Sequence, residues 1–122
     1  MPTTEDVAHD FTAMLRLGNF AAAGDAYWAG DVISVEPVDL PDGIPAKVMG
    51  IEATRRKCHT RFDIARIDEL SIDGPFVTGN QFALFIDMMI AGSASGKAQP
   101  FTEIAVFTVC DGRITEERYF YD

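Results

Sequence analysis

The chain has little of what marks several protein classes. Its 2 cysteines, Cys58 and Cys110, stand far apart with no CxxC spacing, so two buried, reduced thiols are expected rather than a disulfide framework. Its 2 histidines, His9 and His59, form no HxxH or HExxH pattern, so no metal site and no cofactor are expected. No Ser or Cys sits in a nucleophile elbow. Basic residues are scarce: 10 Lys and Arg face 19 Asp and Glu, a formal net charge of -9. That charge repels phosphate backbones and anionic lipid, which argues against nucleic acid and membrane surfaces as partners. No apolar run approaches the roughly 20 residues of a membrane span, and the opening MPTTEDVAHD lacks the basic and apolar regions of a signal peptide. A cytoplasmic, soluble protein is the expectation. GSASGKA, residues 92–98, is not a phosphate loop: the glycine spacing is short and Ala98 stands where a magnesium-binding hydroxyl is needed.

What is present is a core. Hydrophobic residues make up 48% of 122 positions, and no repeat or linker interrupts them, which fits a single domain spanning residues 1–122. The strongest local pattern is the final stretch, FTEIAVFTVCDGRITEERYFYD. Asp111-Gly112 between two alternating runs predicts a hairpin, since a primed turn needs positive φ at both central residues. Alternation puts Phe101, Glu103, Ala105, Phe107 and Val109 on one face of the first strand. Glu117, Tyr119 and Tyr121 share one face of the second, and Glu116, Arg118 and Phe120 the other. Each strand thus sets a glutamate in line with aromatic rings.

Earlier in the chain, Thr3 or Thr4 caps a first helix reaching about Leu17, with Val7, Phe11, Met14, Leu15 and Gly18 on its apolar stripe and His9 pointing away. Asn19 caps a second, through FAAAGDAYWAG, whose face is Phe20, Ala23, Gly24, Tyr27 and Trp28. A strand over 32–36 is stopped by Pro37. Residues 38–46 read as a loop. A third helix follows Gly50, burying Ile51, Thr54, Cys58 and Phe62, with His59 on the solvated side. Arg55 and Lys57 flank the stripe, expected as solvated charges with their stems on apolar surface, the alternative being a place at a pocket rim paired with a carboxylate. Strands are expected over 64–73 and 76–91, with Gly74-Pro75 as the turn between them. Three helices followed by antiparallel strands make an α+β fold, its helices packed on one face of a strongly curved sheet.

Four segments carry a family resemblance: GNFAAAGDAYWAGDVISVEP, GIEATRRK, GPFVTGNQFALFIDM and EIAVFTVCDGRITEERYFYD. In this order they resemble the SnoaL-like branch of the nuclear transport factor 2-like superfamily. The resemblance implies a conical half-barrel, three N-terminal helices on a mixed, largely antiparallel sheet, enclosing a mostly apolar pocket. It also implies a homodimer through the outer sheet face. Family activities range from isomerases, cyclases, dehydratases and epoxide hydrolases to plain binding modules, so fold alone does not name the function.

By the same resemblance, Glu36 before Pro37 corresponds to the catalytic base of the steroid isomerases. Their oxyanion-binding tyrosine corresponds to Phe11, which has no donor, and their protonated aspartate falls near Ala105, one step from Glu103. The concave face is expected to hold Glu103, Phe107, Glu117, Tyr119 and Tyr121, with walls from Phe11, Trp28, Leu84, Ile86 and Met88. Three glutamates beside one apolar cavity are expected to raise one another's pKa. Two readings stand. In one, a cofactor-independent acid–base enzyme acts on a small apolar carbonyl or hydroxyl compound, with Glu36 as base and Glu103 or Tyr119 as donor. In the other, a non-catalytic homodimer holds a ligand or serves as an interaction module.

Overall fold

A computed structural model describes residues 1–63, 66–91 and 96–122. Helix α1 spans Thr4–Arg16; Thr3 caps it, its hydroxyl accepting from the Asp6 amide while the Asp6 carboxylate accepts from the Thr3 amide. Helix α2 spans Phe20–Tyr27, and strand β1 runs directly from it over Trp28–Val35. A short 3₁₀ turn at Pro41–Gly43 leads into β2, Lys47–Met49. Helix α3, Ile51–Cys58, continues into a π-helical turn at His59–Asp63. Strands β3 (Arg66–Thr78), β4 (Gln81–Ala91), β5 (Gln99–Cys110) and β6 (Arg113–Phe120) complete the chain.

The sheet has the order β2-β1-β6-β5-β4-β3. All neighbours pair antiparallel except β1 and β6, which run parallel. The sheet does not close on itself: β2 and β3 are its edges. Register shifts in β3, between Asp68 and Ser71 and again between Asp73 and Phe76, bend that edge as bulges do. The final hairpin turns at Asp111 (φ 52) and Gly112 (φ 75), the two positive angles a primed turn requires. Alternation along β5 is complete: Glu103, Ala105, Phe107 and Val109 are buried, while Thr102 and Ile104 are exposed. Helices α1, α2 and α3 cover that inner face. Phe11 meets Phe107 edge-on at 4.9 Å, and Phe107 stacks on Phe82 at 4.8 Å.

Several boundaries differ from the sequence reading, each for a physical reason. Trp28 belongs to β1, not to the second helix, because it pairs with Ile114 and its indole has a buried acceptor that a helical position would not reach. The turn between β3 and β4 lies at Gly79-Asn80 rather than Gly74-Pro75. The cis Gly74-Pro75 bond sits inside β3, where an edge strand at a bulge tolerates a residue with no N–H. Strand β2 escaped notice because three residues carry no alternation. Cys58 is buried as expected, but Cys110 is exposed beside the hairpin turn. The expected start of β3 at 64 and most of the GSASG turn lie outside the described residues. Among the described residues, no helix is long and apolar enough to cross a membrane.

Candidate functional site

The sheet register assembles the site in rows. Ser34 of β1, Glu117 of β6, Phe107 of β5 and Phe82 of β4 lie side by side across four strands. The next inward row holds Tyr119, Ala105 and Leu84, and the one after pairs Glu103 with Ile86. Glu36 follows β1 immediately, its amide donating to the Ala46 carbonyl. Three glutamates are thereby almost fully enclosed: Glu36 and Glu103 are 2% exposed and Glu117 is 3% exposed.

Buried carboxylates need donors, and these find two kinds. Trp28 Nε1–H donates to Glu117 Oε1 at 2.8 Å. The Ser34 and Tyr119 hydroxyls donate to Glu117 Oε2 at 2.7 and 2.9 Å. All three donors are neutral. Trp28 reaches this place because residue 24 is glycine: a Cβ there would overlap the indole ring. Glu36 instead meets cations. Lys57 Nζ donates to Glu36 Oε2 at 2.8 Å, Arg61 Nη1 reaches the same oxygen at 3.3 Å, and the Tyr121 hydroxyl donates to Oε1 at 2.8 Å. Arg61 Nη2 donates to Glu103 Oε2 at 2.9 Å. Among the described residues, Glu103 accepts at that oxygen alone.

The two cations come from one helix. Lys57 and Arg61 are four residues apart, so α3 and its π turn point them to the same side. Lys57 is only 2% exposed, which overturns its assignment to the solvated face: Glu36 supplies the buried partner that makes this tolerable. Arg61 was not singled out at all. The available cue was the pair Lys57 and Arg61, each preceding a member of the buried couple Cys58 and Phe62. The guanidinium lies among aromatic rings, with Phe62 at 4.6 Å, Tyr119 at 5.0 Å, Phe101 at 5.7 Å and Tyr121 at 5.9 Å.

The electrostatics follow from this packing. Burial raises the Glu103 pKa above its ordinary value; Arg61 pulls it back down, and Glu36 and Glu117 add to the rise. The expected mutual elevation among glutamates is therefore a smaller influence on Glu103 than burial, and Arg61 opposes it. Burial also holds the Tyr119 phenol well above its usual value, with Glu117 and Glu103 reinforcing it, so the phenol keeps its proton. Burial and the bond to Glu36 likewise raise Tyr121. For Arg61, burial works against the charge, but Glu103 and Glu36 outweigh it and the pKa goes up.

These groups border an internal cavity of about 20 Å³, enough for a single water by the usual requirement of roughly 10–15 Å³. Of the residues expected to form the site, Phe11, Trp28, Ile86, Glu103, Phe107, Glu117 and Tyr119 line it. Leu84 and Met88 are buried in the core beyond it, and Glu36 and Tyr121 lie behind Lys57 and Arg61 without lining it. Lys57, Cys58, Arg61 and Phe62 line it on the side of α3 and its π turn, and Leu15 and Phe20 complete the lining. His9 and His59 are both exposed. Arg118 faces outward with Glu116, away from Glu117. Among the described residues, no three His, Cys, Asp or Glu side chains converge as a metal site would require.

An open, mixed six-stranded sheet carrying three helices over a buried polar site is the α+β cone architecture. The model of the SnoaL-like domain family matches residues 2–121, and the chain belongs to that family. Among solved structures, it is similar to a protein of Mesorhizobium loti provisionally named a SnoaL-like polyketide cyclase, with carbohydrate phosphatase given in brackets. The two share 35% identity and a TM-score of 0.88 over 98% of this chain and 100% of that one. A second protein with that provisional cyclase name, from Jannaschia sp. CCS1, shares 20% identity and a TM-score of 0.73, over 95% and 88% of the two chains. An LEH-like epoxide hydrolase of M. tuberculosis shares 18% identity and a TM-score of 0.69, over 95% and 82%. The latter two support the fold alone. No curated protein sequence matches the chain.

Proposed function

We propose that this chain is a cofactor-independent acid–base enzyme acting on a small, largely apolar molecule with a carbonyl or hydroxyl group. Glu103 transfers the proton, and the Tyr119 hydroxyl, which donates to Glu117 in this structure, turns to donate to the reacting oxygen instead. The observation that carries this reading is the setting of Glu103. It borders the cavity, only Arg61 engages it among the described residues, and burial lifts its pKa in the direction a catalytic carboxyl needs. Tyr119 lines the same cavity with its proton retained. Glu36, which the isomerase resemblance favours as base, serves instead to hold Lys57 and Arg61 in place, because donors occupy both its oxygens and it does not reach the cavity. The provisional cyclase name of the 35% identical structure fits this range of chemistry.

The test is a melting screen of steroids, aromatic polyketides, terpene epoxides and small enones, followed by turnover assays on every hit. A ligand at about 100 times its dissociation constant adds roughly 2.7 kcal/mol of stability. Glu103→Gln is expected to keep the fold and lower turnover at least about 100-fold, the usual share of a general acid or base. Full turnover in that variant would set the reading aside.

A second reading, a non-catalytic homodimer joined through the outer sheet face, is favoured by a different observation. Phe85, Ile104 and Phe120 form one cross-strand row there, with Phe76 in the next, and all four are exposed. Sedimentation of the native protein beside Ile104→Lys tests it: a dimer that the substitution dissociates supports this interface, and a native monomer removes it.

A further inference from the structure

Arg61 occupies a place built for a cation. Two carboxylates, Glu36 and Glu103, and four aromatic rings surround its guanidinium, the combination that captures organic cations elsewhere. The buried charge is also unbalanced. Among the described residues, Lys57 and Arg61 pair with Glu36 and Glu103 while Glu117 is held by neutral donors, leaving one buried carboxylate in excess. A ligand carboxylate would bring a further negative charge into a site with almost no water to solvate it. The net charge of -9 on the whole chain attracts cations to the molecule as well.

Space makes the same point. At about 20 Å³ the cavity admits no organic molecule unless a side chain leaves. Lys57 is sealed in with its side chain 2% exposed, whereas that of Arg61 is 11% exposed. Arg61 also stands on the π turn, a backbone form less regular than the α-helix before it. Of the two lining cations it is the less enclosed.

We infer that Arg61 is a built-in stand-in for the ligand, and that the molecule taken up here carries an ammonium or guanidinium group that replaces Arg61 against Glu36 and Glu103. This rests on the pocket reading above and narrows its substrate class: the apolar carbonyl or hydroxyl compound is also an organic cation. Its body lies against Phe107, Phe62 and Trp28, and its charge takes the position the guanidinium vacates.

The experiment uses a matched series on one skeleton: 2-phenylethylammonium, 2-phenylethanol and phenylacetate, with the cyclohexyl equivalents. Binding is read by melting temperature and by the fluorescence of Trp28, the single tryptophan, which lines the cavity. The native protein is expected to bind the ammonium about tenfold more tightly than the alcohol, the worth of one charge-assisted hydrogen bond, and the carboxylate least. Arg61→Gln removes the internal competitor and should tighten ammonium binding about tenfold further. Glu103→Gln should cut the preference of ammonium over alcohol by about the same factor. The ranking in the native protein stands even if a variant fails to fold. Tightest binding by the carboxylates, lost in Arg61→Gln, would make Arg61 an anion hook and overturn the inference. Equal binding by all three forms would overturn it too, and in both cases the pocket reading survives. No binding by any compound to the native protein or to Arg61→Gln would bring down both.

Discussion

Glu117 and Glu36 are equally removed from water and end in opposite company. Glu117 is held by an indole, a serine hydroxyl and a phenol, all neutral and all on strands of the sheet. Glu36 is held by a lysine from α3 and an arginine from the π turn that follows it, with one phenol. The first environment is satisfied hydrogen bond by hydrogen bond; the second rests on matched charge. The difference decides what each position tolerates. A neutral acceptor can replace a carboxylate among neutral donors at small cost, but among buried cations it leaves a charge unmatched. Glu103 stands between the two: it lines the cavity and, among the described residues, has one cationic partner.

Substituting each glutamate by its amide turns this contrast into measurement. Glu36→Gln is expected to have the largest effect, about 3–5 kcal/mol in urea unfolding, because Lys57 loses its counter-charge in the interior. The double variant Glu36→Gln with Lys57→Met should recover most of that loss, since removing both charges relieves the desolvation cost. If the single and double variants unfold alike, charge matching is not what holds this corner.

Glu103→Gln should act through pH. Burial raises the Glu103 pKa above its ordinary value of 4.5, so the native state binds the proton more tightly than the unfolded state. The stability this contributes is fully present below pH 4.5 and is lost as pH rises through the folded pKa. The amide cannot ionise, so from about pH 4.5 upward the variant should gain on the native protein. Urea titrations of both proteins between about pH 4 and 7 check the sign, and a difference that stays flat would remove burial as the dominant influence on this group. Glu117→Gln should be mildest, about 1 kcal/mol, because its amide oxygen still accepts and the hydroxyls of Ser34 and Tyr119 can turn to receive the new N–H group.

The strand side of this site was readable in advance, and the helix side was not. Period-two alternation groups Glu103 with Phe107 on one strand and Glu117 with Tyr119 on the next, while their shared concave face followed from the family resemblance. The register shift between Thr108 and Val109, invisible in the alternation, is what brings the two sets together. Leu84, Ile86 and Met88 come out inward by the same parity, though only Ile86 reaches the cavity. Lys57 and Arg61 break the rule that charge faces water: for Lys57 a pocket-rim place paired with a carboxylate stood only as the alternative, and Arg61 becomes visible only with Glu36 and Glu103 in view. A helical phase of 100° per residue also stops applying at the π turn that carries Arg61. Trp28 was misassigned for a related reason: its place depends on Glu117, 89 residues further along the chain.

The parallel pairing of β1 with β6 has a consequence in time. Strand β1 is made early and β6 is the last of the six strands, yet they lie side by side inside the sheet, and the bonds Trp28–Glu117, Ser34–Glu117 and Glu36–Tyr121 all span that seam. On the ribosome, β3, β4 and β5 can form a meander while β1 still lacks its parallel neighbour. Glu117 therefore acquires its Trp28 and Ser34 donors, and Glu36 its Tyr121 donor, in the final step of folding. Closing such a long loop is slow, and until it closes the unpaired edges of β1 and β5 are the places where this chain is most open to aggregation.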